Sequence, residues 1–171
     1  MSSDFLSLPQ LFGYATFVLG MVTFSRKNDG HFRLWLTAQN LLYAVHFFLM
    51  GNPAAMAGMF LSVMRNLLSM RTRALWVALL LLAANVVLGF FVVKSVWNVV
   101  PLLAAAVATL SMFRLQGLNL RLGMLTATLL WLLNNILIGS IGGIAMEVVI
   151  AIVSCVTIFR LRRDGRLQEQ A

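Results

Sequence analysis

The sequence predicts an all-α membrane protein of seven transmembrane helices, arranged as two parallel three-helix repeats joined by a linker helix (3+1+3). Three observations predict it. Hydrophobic residues make up 61% of the chain and charged residues 11%, with a mean hydropathy of +0.91, which leaves too little polar surface to cover a water-soluble globule. The 171 residues divide into apolar stretches of 17 to 20 residues, each near the length that crosses roughly 30 Å of hydrocarbon. Finally, sliding the chain against itself by 88 residues brings its halves into register without a gap. Arg26 then meets Arg114, Arg33 meets Arg121, Tyr43 meets Trp131, His46 meets Asn134 and Gly51 meets Gly139. Leucine and alanine matches carry no weight in so apolar a chain; the arginine, glycine, aromatic and amide matches do.

The predicted spans are 6–24, 34–50, 54–70, 74–93, 96–113, 122–139 and 142–159. The first is a retained span rather than a cleaved signal. It lacks a basic leader, follows Asp4, and ends at Ser25-Arg26-Lys27 instead of a small-residue cleavage site. Spans two and three are joined by Gly51-Asn52-Pro53, where glycine admits positive φ and proline stops a helix. Gly139-Ser140-Ile141-Gly142-Gly143 makes the matching turn between spans six and seven. Three helices turn a unit upside down, so span four is needed to return the second unit to the orientation of the first. The whole of 1–171 is read as one polytopic membrane domain. Repeat one covers about 6–73, the linker helix 74–93, repeat two about 94–161, and a cytoplasmic tail 162–171. From Arg160 onward the chain is expected to be loose.

Charge supplies the topology. A net charge of +8 and a pI near 11.4 would suggest nucleic-acid binding in a soluble domain, but here the bases lie between apolar runs, and no nucleic-acid partner is expected. Arg26, Lys27, Arg33, Arg71, Arg73, Arg114, Arg121, Arg160, Arg162, Arg163 and Arg166 fall on one side, and only Lys94 lies opposite. Arg65 lies inside span three near the basic side, where snorkelling to the interface is expected. The positive-inside rule then puts the N-terminus outside and the C-terminus in the cytoplasm.

Polar residues within the spans mark a candidate pathway. Gln39, Tyr43 and His46 recur at helical spacing on span two, and the shift maps them onto Ala127, Trp131 and Asn134. Ser62, Asn66 and Ser69 form a stripe on span three. Glu147 and Ser154 share a face of span seven. Glu147 is the one carboxylate well inside a predicted span, and burying it ionised at the bilayer centre would cost roughly 2.5–3.5 kcal/mol. His46, Asn134 and Asn135 lie near the same level and are expected to hydrogen-bond it, so that Glu147 and His46 bind a solute or trade a coupling proton. The alternative is a structural hydrogen-bond cluster, or a carboxylate reaching the outer headgroups. The candidate substrate or proton pathway is therefore Tyr43, His46, Asn66, Trp131, Asn134, Asn135, Glu147 and Ser154.

Enzyme chemistry is not expected. His31, His46 and Cys155 lack metal-ligand spacing, Glu147 has no second intramembrane acid, and there is no glycine-rich phosphate loop. No cofactor or metal is called for.

The parallel three-helix units joined by an inversion helix resemble the sugar-transporting SWEET and PQ-loop superfamily. More locally, His46-Phe47-Phe48-Leu49-Met50-Gly51, Arg71-Thr72-Arg73-Ala74-Leu75-Trp76 and Gly139-Ser140-Ile141-Gly142-Gly143 resemble the bacterial YgjV-type inner membrane protein family, a likeness that extends over nearly the whole chain. This resemblance implies the bacterial inner membrane and the superfamily fold, and no established substrate. Two departures matter. Pro9-Gln10 stands at the outer entrance of span one rather than at its cytoplasmic end, and Pro101 is the one proline within a span interior. Paired aromatics such as Tyr43 and Trp131 resemble the platforms that hold a sugar ring in that superfamily. Glu147, where the superfamily tends to carry an amide, suits a cation, amine or proton better than a neutral polyol.

The reading that follows is an inner membrane protein that moves a small polar or cationic solute by alternating access. The competing reading is a non-transporting membrane protein that assembles with or supports a partner complex. Besides the lipid bilayer and that solute, association into an oligomer is compatible with the sequence.

Overall fold

A computed structural model describes residues 7–51, 53–92, 99–137 and 141–169. They form seven α-helices: α1 (Leu8–Ser25), α2 (Asp29–Leu49), α3 (Pro53–Arg71), α4 (Leu75–Val92), α5 (Val99–Arg114), α6 (Gly117–Leu137) and α7 (Ile141–Glu169). No strand occurs among the described residues. Asp4, Lys94, Asn52, Gly139 and Ser140, to which the sequence reading gave topological or turn roles, lie outside them.

Local chemistry explains the helix boundaries. Pro9 sits in the first turn of α1, where its missing N–H costs no helical bond. Asn28 caps α2, its side-chain oxygen accepting from the His31 N–H at 3.0 Å, and Asp29 complements the positive helix start. Gly51, with φ of +68°, ends α2 and returns its N–H to the Phe48 carbonyl at 3.0 Å, as expected for the tight turn before Pro53.

Two boundaries differ from the sequence reading for the same reason. The sequence starts these spans at residues 34 and 122, after Arg33 and Arg121, because those arginines read as loop charges. Instead α2 and α6 begin five residues earlier and carry both arginines, which are 4% and 2% exposed. The tail is a further correction. The helix of α7 continues to Glu169 instead of loosening at Arg160, since extending an existing helix through good helix formers such as Leu161, Arg162 and Arg163 adds one bond per residue without a new nucleus.

In the bundle, α1 packs against α2 and α7, α2 against α3, α5 against α6, and α6 against α7. The fourth helix leans on α5 and, to a lesser extent, on α3, and α3 also touches α5. Helices α2 and α6 both have 21 residues, and their first residues are 88 apart. One end of the bundle is filled by Phe24, Phe32, Met112, Phe113 and Leu120, with the Phe24 and Phe32 rings edge to face at 5.4 Å. Glycine permits the closest helix approaches. A Cβ on Gly123 of α6 would overlap the Ser111 hydroxyl of α5, and one on Gly20 of α1 would press on Gln39 of α2.

Among the described residues, α1, α6 and residues 144–165 of α7 are long and apolar enough to cross a membrane. The apolar parts of α4 and α5 are shorter. In α2 and α3 the polar side chains Gln39, Asn40, Arg65 and Asn66 are buried inside the bundle. The outer surface is apolar: Trp76, Leu80, Phe90 and Phe91 of α4 are between 63% and 82% exposed, a face suited to hydrocarbon rather than water.

Candidate functional site

A cavity of about 430 Å³ lies among α2, α3, α5, α6 and α7, with Phe24 of α1 at one end. Two helices supply most of its wall. On α2 the lining residues are Leu36, Gln39, Asn40, Tyr43 and Phe47; on α6 they are Met124, Ala127, Thr128, Trp131 and Asn135, joined by Asn134. Both sets recur every three or four residues, so each is a single helical face. Each of the five α2 positions lines the cavity, and so does the residue 88 further along the chain. Met59 and Glu147, and Ser62 and Ile150, are two more such pairs.

Five of the eight predicted pathway residues meet here: Tyr43, Trp131, Asn134, Asn135 and Glu147. The other three lie elsewhere. His46 is about 60° around α2 from Tyr43, since three residues advance a helix by roughly 300°; it stands just past Gln39 at the edge of the lining face and turns to α1. Its Nδ1 lies 2.7 Å from the Pro9 carbonyl, an acceptor, so Nδ1 carries the proton. Gly13 leaves the room this requires, because a Cβ there would stand 3.3 Å from the imidazole. Asn66 is fully buried behind the wall. Its side-chain oxygen accepts from Arg65 Nε at 3.2 Å, and its Nδ2 has no partner among the described residues. The Ser154 hydroxyl donates to the Ile150 carbonyl one turn back at 2.8 Å.

Glu147 is 8% exposed, and among the described residues its carboxylate has no ion-pair partner and no hydrogen bond. The expected bonds from His46, Asn134 and Asn135 are not formed; Asn134 and Asn135 stand around the same cavity with it.

Arg65 corrects the sequence reading. It is 7% exposed and lines the cavity instead of snorkelling to the interface. Asn66 holds its Nε, and no acid among the described residues pairs with it. Position along the chain suggests the interface, whereas the face of α3 on which it sits turns it inward. Asn40 and Thr128 were also missed as lining groups. The available signal was the 88-residue offset between them, both being polar.

The end of the cavity marked by Phe24 and Leu36 is sealed in two layers. Behind these residues lies the Phe32, Met112, Phe113 and Leu120 cluster. Beyond it a polar layer ties the helices together. Arg33 donates to the Ser69 carbonyl at 2.8 Å and the Met112 carbonyl at 2.6 Å, satisfying last-turn acceptors of α3 and α5. Asp29 accepts from the Gly117 N–H at 2.7 Å and lies 3.2 Å from Arg121 Nη2. Arg121 also donates to the Lys27 carbonyl at 3.2 Å, and its guanidinium sits 4.0 Å from the centre of the Phe32 ring. Thr157 joins α7 to the Phe24 carbonyl at 2.8 Å.

No group of histidine, cysteine or acidic residues able to hold a metal occurs among the described residues.

A family model described as bacterial inner membrane protein, Imp-YgjV, matches residues 7–165. The inner membrane protein YgjV of Escherichia coli (strain K12) is 31% identical over 140 residues, covering 82% of this chain and 76% of that protein. No solved structure matches. With the family model spanning nearly the whole helical bundle, the chain belongs to the YgjV family of bacterial inner membrane proteins.

Proposed function

We propose that this inner membrane protein carries a small polar solute across the bilayer by alternating access, and that it is not an enzyme. The observation that carries the reading is the buried, unpaired Glu147 on a cavity of about 430 Å³ with Tyr43, Trp131 and the four amides of Gln39, Asn40, Asn134 and Asn135 around it. An acid kept in a membrane interior without a partner marks a solute or proton path more readily than a packing role, because packing alone is better served by an apolar side chain.

In this reading all seven helices cross the membrane in a 3+1+3 order, as in the SWEET and PQ-loop superfamily. The repeat is supported by the matched 21-residue helices α2 and α6 and by seven pairs of cavity residues 88 apart. Equivalent positions in parallel repeats face one another at equal depth across an axis along the membrane normal, which suits a cavity between the copies. The basic end is cytoplasmic by the positive-inside rule, so the C-terminus is inside, the N-terminus outside, and the sealed end is the inner gate. Reporter fusions at the two termini test that orientation.

The second reading, assembly with a partner complex, has its own observation in the exposed aromatic face of α4, centred on Trp76, Phe90 and Phe91. Proteoliposomes separate the two. Saturable solute entry dependent on Trp131 and Glu147 supports transport. Absence of entry across a broad panel, with a partner that co-purifies through α4, supports assembly.

A further inference from the structure

Glu147 and Arg65 are opposite charges on the wall of one cavity, on α7 and α3, and each is less than a tenth exposed. They do not pair with each other, and no other ion pair reaches either of them among the described residues. Burial of a charge is costly unless it is paired and hydrogen-bonded. Arg65 has part of that support in Asn66, which accepts from Nε and leaves the rest of the guanidinium for another acceptor. Glu147 has none. Arg65 is the thirteenth residue of α3 and Glu147 the seventh of α7, so in helices running the same way they differ by about 9 Å in rise. A direct bridge would remove the need for a ligand. Two separated charges facing one space call for a molecule that carries both complements.

We propose that the cavity binds a small zwitterion, with its ammonium group at Glu147 and its carboxylate at Arg65. The assignment rests on the transport reading for its biological use, but the binding itself does not require transport. Tyr43 of α2 and Trp131 of α6 line the same cavity and offer aromatic surface for the apolar portion of the solute, and the side-chain carbonyls of Asn134 and Asn135 on that lining offer further acceptors for the ammonium. A solute with one charge leaves one buried ion unmatched, so amines without an acid, acids without an amine, and sugars all bind more weakly. Guanidinium presents a planar fork that matches a carboxylate in two places, which favours Arg65 as the acid-binding end.

The test is equilibrium binding to the purified full-length protein in detergent, read by thermal stabilisation and calorimetry. The probes are the neutral L-α-amino acids, γ-aminobutyrate and ε-aminocaproate, each beside the matching alkylamine and alkylcarboxylate, with glucose as the uncharged control. The proposal expects at least one zwitterion to bind saturably and about tenfold or more tighter than either singly charged counterpart, a margin that corresponds to one charge-assisted contact. Glu147→Gln is expected to remove the preference for the zwitterion over the acid, and Arg65→Gln the preference over the amine. Should Arg65→Gln not yield a monodisperse protein, Arg65→Lys provides the second measurement, with charge retained and zwitterion affinity reduced through loss of the fork. Equal or tighter binding of a singly charged or neutral probe overturns the proposal, as does the lack of binding by every zwitterion. Zwitterion binding without flux in vesicles leaves the proposal standing and defeats the transport reading. Flux of amines or sugars without zwitterion preference does the reverse.

Discussion

The carboxylate of Asp29 accepts a hydrogen bond from the backbone N–H of Gly117 at 2.7 Å, and the two residues are 88 apart in the chain. They are the first residues of α2 and α6. The positive φ of Gly117, +52°, accompanies that turn, a backbone shape that a side chain disfavours. Asp29 has no equal in the second half, and Arg121 takes the complementary role by lying 3.2 Å from the same carboxylate. Arg33 and Arg121, themselves 88 apart, thereby serve one layer in different ways: Arg33 gathers helix-end carbonyls, and Arg121 pairs with an acid.

Removing Asp29 leaves Arg121 buried without its counter-ion. Asp29→Ala is expected to destabilise the protein by about 2 kcal/mol, below the range for a fully buried pair because the Asp29 side chain is 26% exposed. Lys27→Ala, which breaks the exposed contact with Asp164, is expected to leave thermal stability unchanged. Unfolding curves of the two variants in the same detergent check the contrast.

Gly123 and Gly58 are both helical glycines, with opposite expectations. Alanine at 123 places a methyl group on the Ser111 hydroxyl and separates α5 from α6, at a cost of about 1–3 kcal/mol. Alanine at 58 meets nothing within 4 Å and is expected to be neutral or to stabilise by about 0.5 kcal/mol through reduced unfolded-state freedom. The melting temperatures should move in different directions, or only the first should move.

His46 is expected to act in structure and not in solute recognition. His46→Gln loses the imidazole bond to the Pro9 carbonyl and lowers stability by about 1 kcal/mol, while solute affinity stays within about twofold of the parent. Trp131→Ala, on the cavity wall, is expected to weaken solute binding by about tenfold with little change in unfolding temperature. Calorimetric titration and thermal melts of the same preparations separate the two roles.

Much of this bundle is legible in the chain. Seven helices follow from the apolar runs, and the stripe through Trp131 and Asn134 follows from a helical period that places both on the cavity. The errors share a cause. Arg33, Arg65 and Arg121 are charges in or beside apolar runs, and linear position cannot tell an arginine that reaches the interface from one that the bundle encloses. The carbonyls of Ser69 and Met112 that receive Arg33 come from helices far along the chain, and no local pattern announces them. His46 fails for a related reason. It shares a polar stripe with Tyr43, yet its imidazole bonds to a first-turn carbonyl of another helix, that of Pro9, made reachable by the absence of a side chain at Gly13.

The most direct test of the central claim is initial-rate solute uptake into proteoliposomes, comparing the parent with Glu147→Gln and Lys27→Ala at equal reconstitution. The solute is the tightest binder from the detergent screen. The account predicts saturable uptake in the parent and in Lys27→Ala, and a loss of about tenfold or more in Glu147→Gln. Undiminished uptake in Glu147→Gln, or no uptake by the parent of a solute that binds it, would contradict the assignment of this cavity as a transport site.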